Sequence, residues 1–213
     1  MARTLSFTRR RLPHWLVADA SYFVTLRLHG TLPGRVLAEL REERERTRSA
    51  MDDCDGAEYR ALLRTQFRRL DQVLDAGSHG HAWLGVPRVA TLVFGNLDWL
   101  ETSRGWWVQA ASLMPNHAHL VLRSRSGRDG AIRKDLKEWK RHAAREANRI
   151  LGRNGRFWAE EGFDHWCRTA QEAERAATYT IMNPVRAGLA TRWQDWPWTR
   201  ADPEAFATGT LPE

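Results

Sequence analysis

Residues 106–123 read WWVQAASLMPNHAHLVLR. Two runs rich in apolar residues flank a Met-Pro-Asn corner, so the stretch predicts consecutive strands over 106–114 and 117–123 joined by a tight turn. Successive side chains of a strand alternate faces, which puts His117, His119 and Val121 on one side and Ala118, Leu120 and Leu122 on the other. The second side is uniformly apolar and suits a core. Two imidazoles are therefore left together on the opposite side, directly after the corner. A His-x-His pair can be ordinary packing or two metal ligands, and the spacing alone does not choose. A zinc hydrolase of the HxHxDH type is disfavoured, because Leu120, Val121 and Leu122 stand where its further ligands would follow.

The chain around this pair alternates strand-like and helix-like segments. SYFVTLRL (21–28) predicts a strand, closed by the Gly and Pro signals of LHGTLPG. Residues 35–49 and 57–75 predict two charged helices separated by the weak break DDCDG, and 87–100 predicts a third. A basic helix is expected over 131–151, a loop over 154–167, a helix over 170–182 and a Trp- and Pro-rich tail from 191. This order predicts an α+β fold, a small antiparallel sheet covered by helices. A single domain spanning 1–213 is expected, with a charged helical insertion at about 35–75 and a C-terminal tail at 191–213.

Composition narrows the partners. With 33 Lys+Arg against 26 Asp+Glu the net charge is +7, which favours an anionic partner, nucleic acid or an anionic membrane surface. Eleven tryptophans among the arginines suit single-stranded nucleic acid, where bases stack on rings and phosphates pair with cations; core packing is the plainer reading for most of them. Cys54 and Cys167 form no CxxC pattern, which argues against a disulfide framework or a cysteine zinc site and fits a reducing cytosol. No signal peptide and no membrane span is expected, so the protein is read as cytoplasmic.

A second motif bears on the histidines. In YTIMNPVRAGL (179–189), Tyr179 and Asn183 are four apart, on one helix face about a turn apart. Asn183 offers a hard carbonyl oxygen, and Tyr179 offers a phenol nucleophile. With His117 and His119, Asn183 would make an N/N/O site with open positions, suited to Mg²⁺ or Mn²⁺. Pro184 disfavours helical backbone at Asn183, so a kink or helix end is expected there. The plain alternative is that Tyr179 packs and Asn183-Pro184 ends a helix.

MPNHAHLVL (114–122) followed by YTIMNPVRAGL resembles the single-tyrosine HUH transposases, specifically the REP-associated tyrosine transposases. YFVTLRLHGTLP (22–33) resembles that family's first strand and turn. KEWKRHAAREANRILGRNGRFWAEEGFDHWCR (137–168) resembles its basic helix and following loop, and GLATRWQDWPWTRA (188–201) its end. The likeness covers roughly 13–200. Ala118 replaces a bulkier aliphatic often found between the two histidines, on the side turned from the ligands.

The resemblance implies a ferredoxin-like sheet with the His pair on a central strand and the tyrosine helix beside it. It implies His117, His119 and Asn183 as ligands of a divalent metal and Tyr179 as nucleophile. The implied reaction is cutting and rejoining of single-stranded DNA or a repetitive palindromic DNA hairpin through a 5′-phosphotyrosine. A monomer is implied, with a dimer the alternative state. Lys134, Lys137, Lys140, Arg141, Arg145, Arg168 and Arg186 are candidate DNA contacts, and Trp139, Trp158 and Trp166 candidate stacking platforms. Competing readings are a non-catalytic nucleic-acid-binding protein that keeps the fold, and a related HUH replication or relaxase nuclease. His79-Gly80-His81 repeats the His-x-His spacing in a Gly-rich loop with no strand behind it; like His14, His142 and His165, it is assigned no role.

Overall fold

The computed structural model describes residues 4–9, 13–17, 20–50, 56–125, 127, 131–160 and 162–212. A hairpin of β1 (Thr4–Arg9) and β2 (Pro13–Val17) precedes β3 (Ser21–Arg27). Four helices follow, α1 (Gly34–Ala50), α2 (Gly56–Asp75), α3 (Pro87–Gly95) and α4 (Leu97–Arg104). Then come β4 (Trp106–Leu113), β5 (His117–Ser124), α5 (Ile132–Ile150), β6 (Phe163–Cys167), α6 (Ala170–Arg186) and β7 (Thr199–Ala201).

The main sheet has the order β6-β3-β5-β4-β7, with every neighbouring pair antiparallel. Its first four members form the ferredoxin-like βαββαβ arrangement, α1–α4 filling the first crossover and α5 the second. The two faces of β5 are divided as its alternation demands. Ala118, Leu120 and Leu122 join Tyr22, Val24 and Leu26 in a core covered by α3, α4 and α5. Val121 and Phe23 belong to a second core under α6, with Ala173, Ala177 and Ile181. Trp139 and Trp158 are buried in the first core, their rings 5.8 Å apart. Trp166 lies partly buried under the Arg168 guanidinium, 4.8 Å from its ring centroid.

Several boundaries differ from the sequence expectation. The helix over 87–100 is two helices, because Gly95 and Asn96 are poor helix formers and the Asn96 amide closes α3 on the Leu92 carbonyl at 3.1 Å. The loop over 154–167 contains β6, which pairs with the open edge of β3. Gly162 permits that approach, since a Cβ there would lie 2.3 Å from the Thr25 carbonyl oxygen. α6 runs through Pro184 to Arg186 and does not end at Asn183. Proline so near the C-terminal end forfeits little of the helix's hydrogen bonding. The tail adds β7 to the β4 edge and is tied down by indole N–H groups, Trp196 to the Leu113 carbonyl and Trp193 to that of Pro212, both at 2.7 Å. Cys54 and the break at 52–56, apart from Gly56, lie outside the described residues. Among the described residues no helix is long and apolar enough to cross a membrane.

Lys140 illustrates how the α5 face is divided. Its Nζ donates to the Ala159 carbonyl at 3.0 Å, and burial, followed by repulsion from Arg27, pushes its pKa down from 10.5 to about 8. The unfolded chain therefore binds more protons between those values, so this group makes stability rise with pH across that window. Lys140→Met keeps the stem and removes the charge. Denaturant titrations are expected to show wild type gaining stability relative to the variant from pH 8 to pH 10.5.

Candidate metal centre

The register of β5 sets its histidines in the middle of the sheet. His119 lies between Thr25 of β3 and Ser112 of β4, and His117 opposite Arg27. Both imidazoles are fully buried on the α6 side. Small residues along α6 let it pack closely there, and Tyr179 and Asn183, one turn apart, both reach this cluster. The Tyr179 ring is 5.7 Å from that of His119, and Asn183 is fully buried beside His117. Phe23 stacks on His119 with centroids 5.5 Å apart.

A third wall comes from α2. Phe67 packs edge-on against Phe23 and Tyr179, at 5.2 and 5.6 Å. One turn later Asp71, buried to 2% exposure, faces His119 Nε2 with Oδ1 at 3.1 Å, and its Oδ2 accepts the Tyr179 hydroxyl. Asp75 follows after another turn, with Oδ1 3.8 Å from His117 Nε2.

Hydrogen bonds around the ring nitrogens define what the imidazoles present. Asn116 Nδ2 donates to the Leu74 carbonyl at 2.8 Å, which leaves its Oδ1 to accept from His117 Nδ1 at 2.6 Å. The Nε2 lone pair of His117 then points into the cluster. Burial, then the neighbouring His119, hold the His117 pKa well below the usual imidazole range, so it stays neutral and able to ligate. His119 Nδ1 is held by Thr25 Oγ1 at 2.9 Å. The two Nε2 atoms are 3.1 Å apart, close enough for both to turn to one metal ion.

Asp71, His117 and His119 can hold a metal ion, their ligand atoms lying within 4.8 Å of one another. Two imidazole nitrogens and a carboxylate oxygen suit a divalent cation of intermediate hardness. The surroundings fit a cation too. Among the described residues, Asp71 Oδ1 and Asp75 Oδ1 are buried and accept no hydrogen bond, and the buried Asn183 amide lies against His117. Burial, then the neighbouring Asp71, push the Asp75 pKa up to about 6.

Of the residues expected at the site, His117, His119, Tyr179 and Asn183 converge. Arg186 stands with them, its guanidinium 4.5 Å from the Tyr179 ring centroid. Lys134, Lys137, Arg141 and Arg145 are exposed on α5, on the opposite face of the sheet, and Arg168 is exposed just after β6. His79 and His81 lie in an exposed loop, where His81 stacks on Trp83 at 4.0 Å. Sequence reading missed Asp71, Asp75, Phe67, Thr25 and Asn116. One signal was available for α2: Asp71 and Asp75 share the helical stripe of Phe67 and Leu74, where an apolar residue is expected.

No protein-family model matches the chain, and no curated protein matches it. A solved structure of a REP-associated tyrosine transposase bound to a REP hairpin is similar to it. That likeness covers 92% of this chain and 82% of the other, with a TM-score of 0.52 and 15% sequence identity, and it shows a shared fold.

Asn116 ties the end of α2 to the histidine pair, so Asn116→Ala removes two buried hydrogen bonds together. The variant is expected to lose about 1–3 kcal/mol of stability in urea titrations and about 10–100-fold in Mn²⁺ affinity by calorimetry.

Proposed function

We propose that the protein is a metal-dependent, single-stranded DNA endonuclease and strand transferase of the HUH transposase type, with Tyr179 as nucleophile. The observation that carries this reading is the meeting of Tyr179 with the His117–His119–Asp71 cluster in one buried site, the phenol and His119 on the same carboxylate. The shared fold with a transposase bound to a REP hairpin supports a repetitive palindromic hairpin as substrate.

A phenol with a pKa of ~10 is a weak nucleophile at neutral pH, so the site must hold it in line with the phosphate. In the proposed reaction the Tyr179 oxygen bonds to the scissile phosphorus and the bond to the 3′ oxygen breaks. The DNA is left with a free 3′-OH and a 5′-phosphotyrosine link. Attack by a second 3′-OH reverses the step, so strands are rejoined without an external energy source. His117 and His119, with Asp71 or Asn183, would hold a divalent ion such as Mg²⁺ or Mn²⁺, which supplies charge neutralisation at the phosphate. Arg186, beside the phenol ring, would take a phosphate oxygen. Lys134, Lys137, Arg141 and Arg145 would contact DNA away from the cut, and Arg168 nearer the sheet edge.

The test is a labelled single-stranded hairpin incubated with the protein and Mg²⁺ or Mn²⁺, then denatured. Wild type should retain a covalent protein–DNA adduct, which Tyr179→Phe and the His117→Ala/His119→Ala double variant should lack. An adduct that survives Tyr179→Phe would displace the nucleophile assignment. Hairpin binding without any adduct, across several hairpins and both metals, would indicate a binding protein that keeps the fold without the chemistry.

A further inference from the structure

The α1–α2 hairpin meets the site in an unusual way. Its apolar residues Leu40, Leu70 and Leu74, with Leu32 just before α1, form a small cluster separate from the two cores of the sheet. Towards the histidines it presents Phe67, Asp71, Asp75 and the Leu74 carbonyl. Two carboxylates thus press on two buried imidazoles. Buried charge of one sign is costly unless an opposite charge accompanies it.

Asp71 divides its two oxygens in a way that suits such a counter-charge. Oδ1 lies towards His119 and accepts no hydrogen bond, whereas Oδ2 is occupied by the Tyr179 hydroxyl. We propose that Asp71 is a positioning residue that couples a bound divalent cation to the tyrosine. Oδ1 joins His117 and His119 on the ion while Oδ2 orients the phenol, so that ion binding also seats the α1–α2 hairpin on the sheet. The tyrosine half of this inference rests on the function proposed above; the seating half does not.

Two arms test it on the full chain. In the first, Mn²⁺ alone is titrated without DNA, binding is read from the free-ion paramagnetic resonance signal, and trypsin cleavage after Arg64 and Arg68 of α2 is followed. Wild type is expected to bind one ion and resist cleavage as it binds. Asp71→Asn should lose about tenfold or more in Mn²⁺ affinity, with its protection, whereas Tyr179→Phe should keep both. Mn²⁺ binding to wild type without slower cleavage overturns the seating, whatever the variants do. Unchanged affinity in Asp71→Asn, or loss confined to Asn183→Ala, overturns Asp71 as a ligand.

The second arm measures adduct formation at saturating Mn²⁺, where Asp71→Asn should form adduct at least tenfold more slowly than wild type, in keeping with a misplaced nucleophile. An unchanged rate there overturns the coupling to Tyr179. If wild type forms no adduct while the Mn²⁺ arm behaves as expected, the proposed function fails and the seating of the hairpin stands.

Discussion

Two imidazoles and a carboxylate are buried within 4.8 Å of one another on one face of a central strand, and the surrounding structure is organised around that burden. Polar groups removed from water must find partners, and here each neighbouring element supplies some. β3 offers Thr25 to His119, and the corner before β5 offers Asn116 to His117. Aromatic rings from β3, α2 and α6 enclose the remaining sides. Oδ1 of Asp71 and of Asp75, which face the imidazoles and accept no hydrogen bond among the described residues, are the part of the demand left unmet.

The sheet makes this arrangement possible because its two faces do different work. One face of β5 is committed to apolar packing under α3, α4 and α5, which anchors the strand. The other carries the histidines to α6, where alanines at 173 and 177 bring the helix close and Tyr179 follows in phase. The long first crossover then serves a purpose beyond linking β3 to β4. It returns α2 across the α6 face and brings acidic side chains to a strand that has none of its own.

How far the site was legible in the sequence depended on the range of the contacts. The His117–His119 pair and the Tyr179–Asn183 pair are each local, set by the period of a strand and of a helix, and the structure places both as those periods require. Asp71 is joined to Tyr179 by a hydrogen bond spanning 108 positions, and no local pattern encodes such a contact. The strand over 163–167 was missed for a similar reason. Its pairing depends on the free edge of β3, some 140 residues earlier, and on a glycine that lets the two backbones approach.

By itself the sequence determined the alternation of β5, the phase of α6, the α+β class and the helical character of 35–49 and 57–75. These follow from side-chain periodicity and backbone preference, which act over a few residues. Only the tertiary structure decided which faces meet. It placed the basic side of α5 behind the sheet from the histidines and drew α2 into the site. It also turned a charged insertion into the source of the carboxylate that stands beside the two histidines. Burial did that selecting, because a carboxylate on a solvated helix and one sealed against imidazoles look alike until the chain has folded around them.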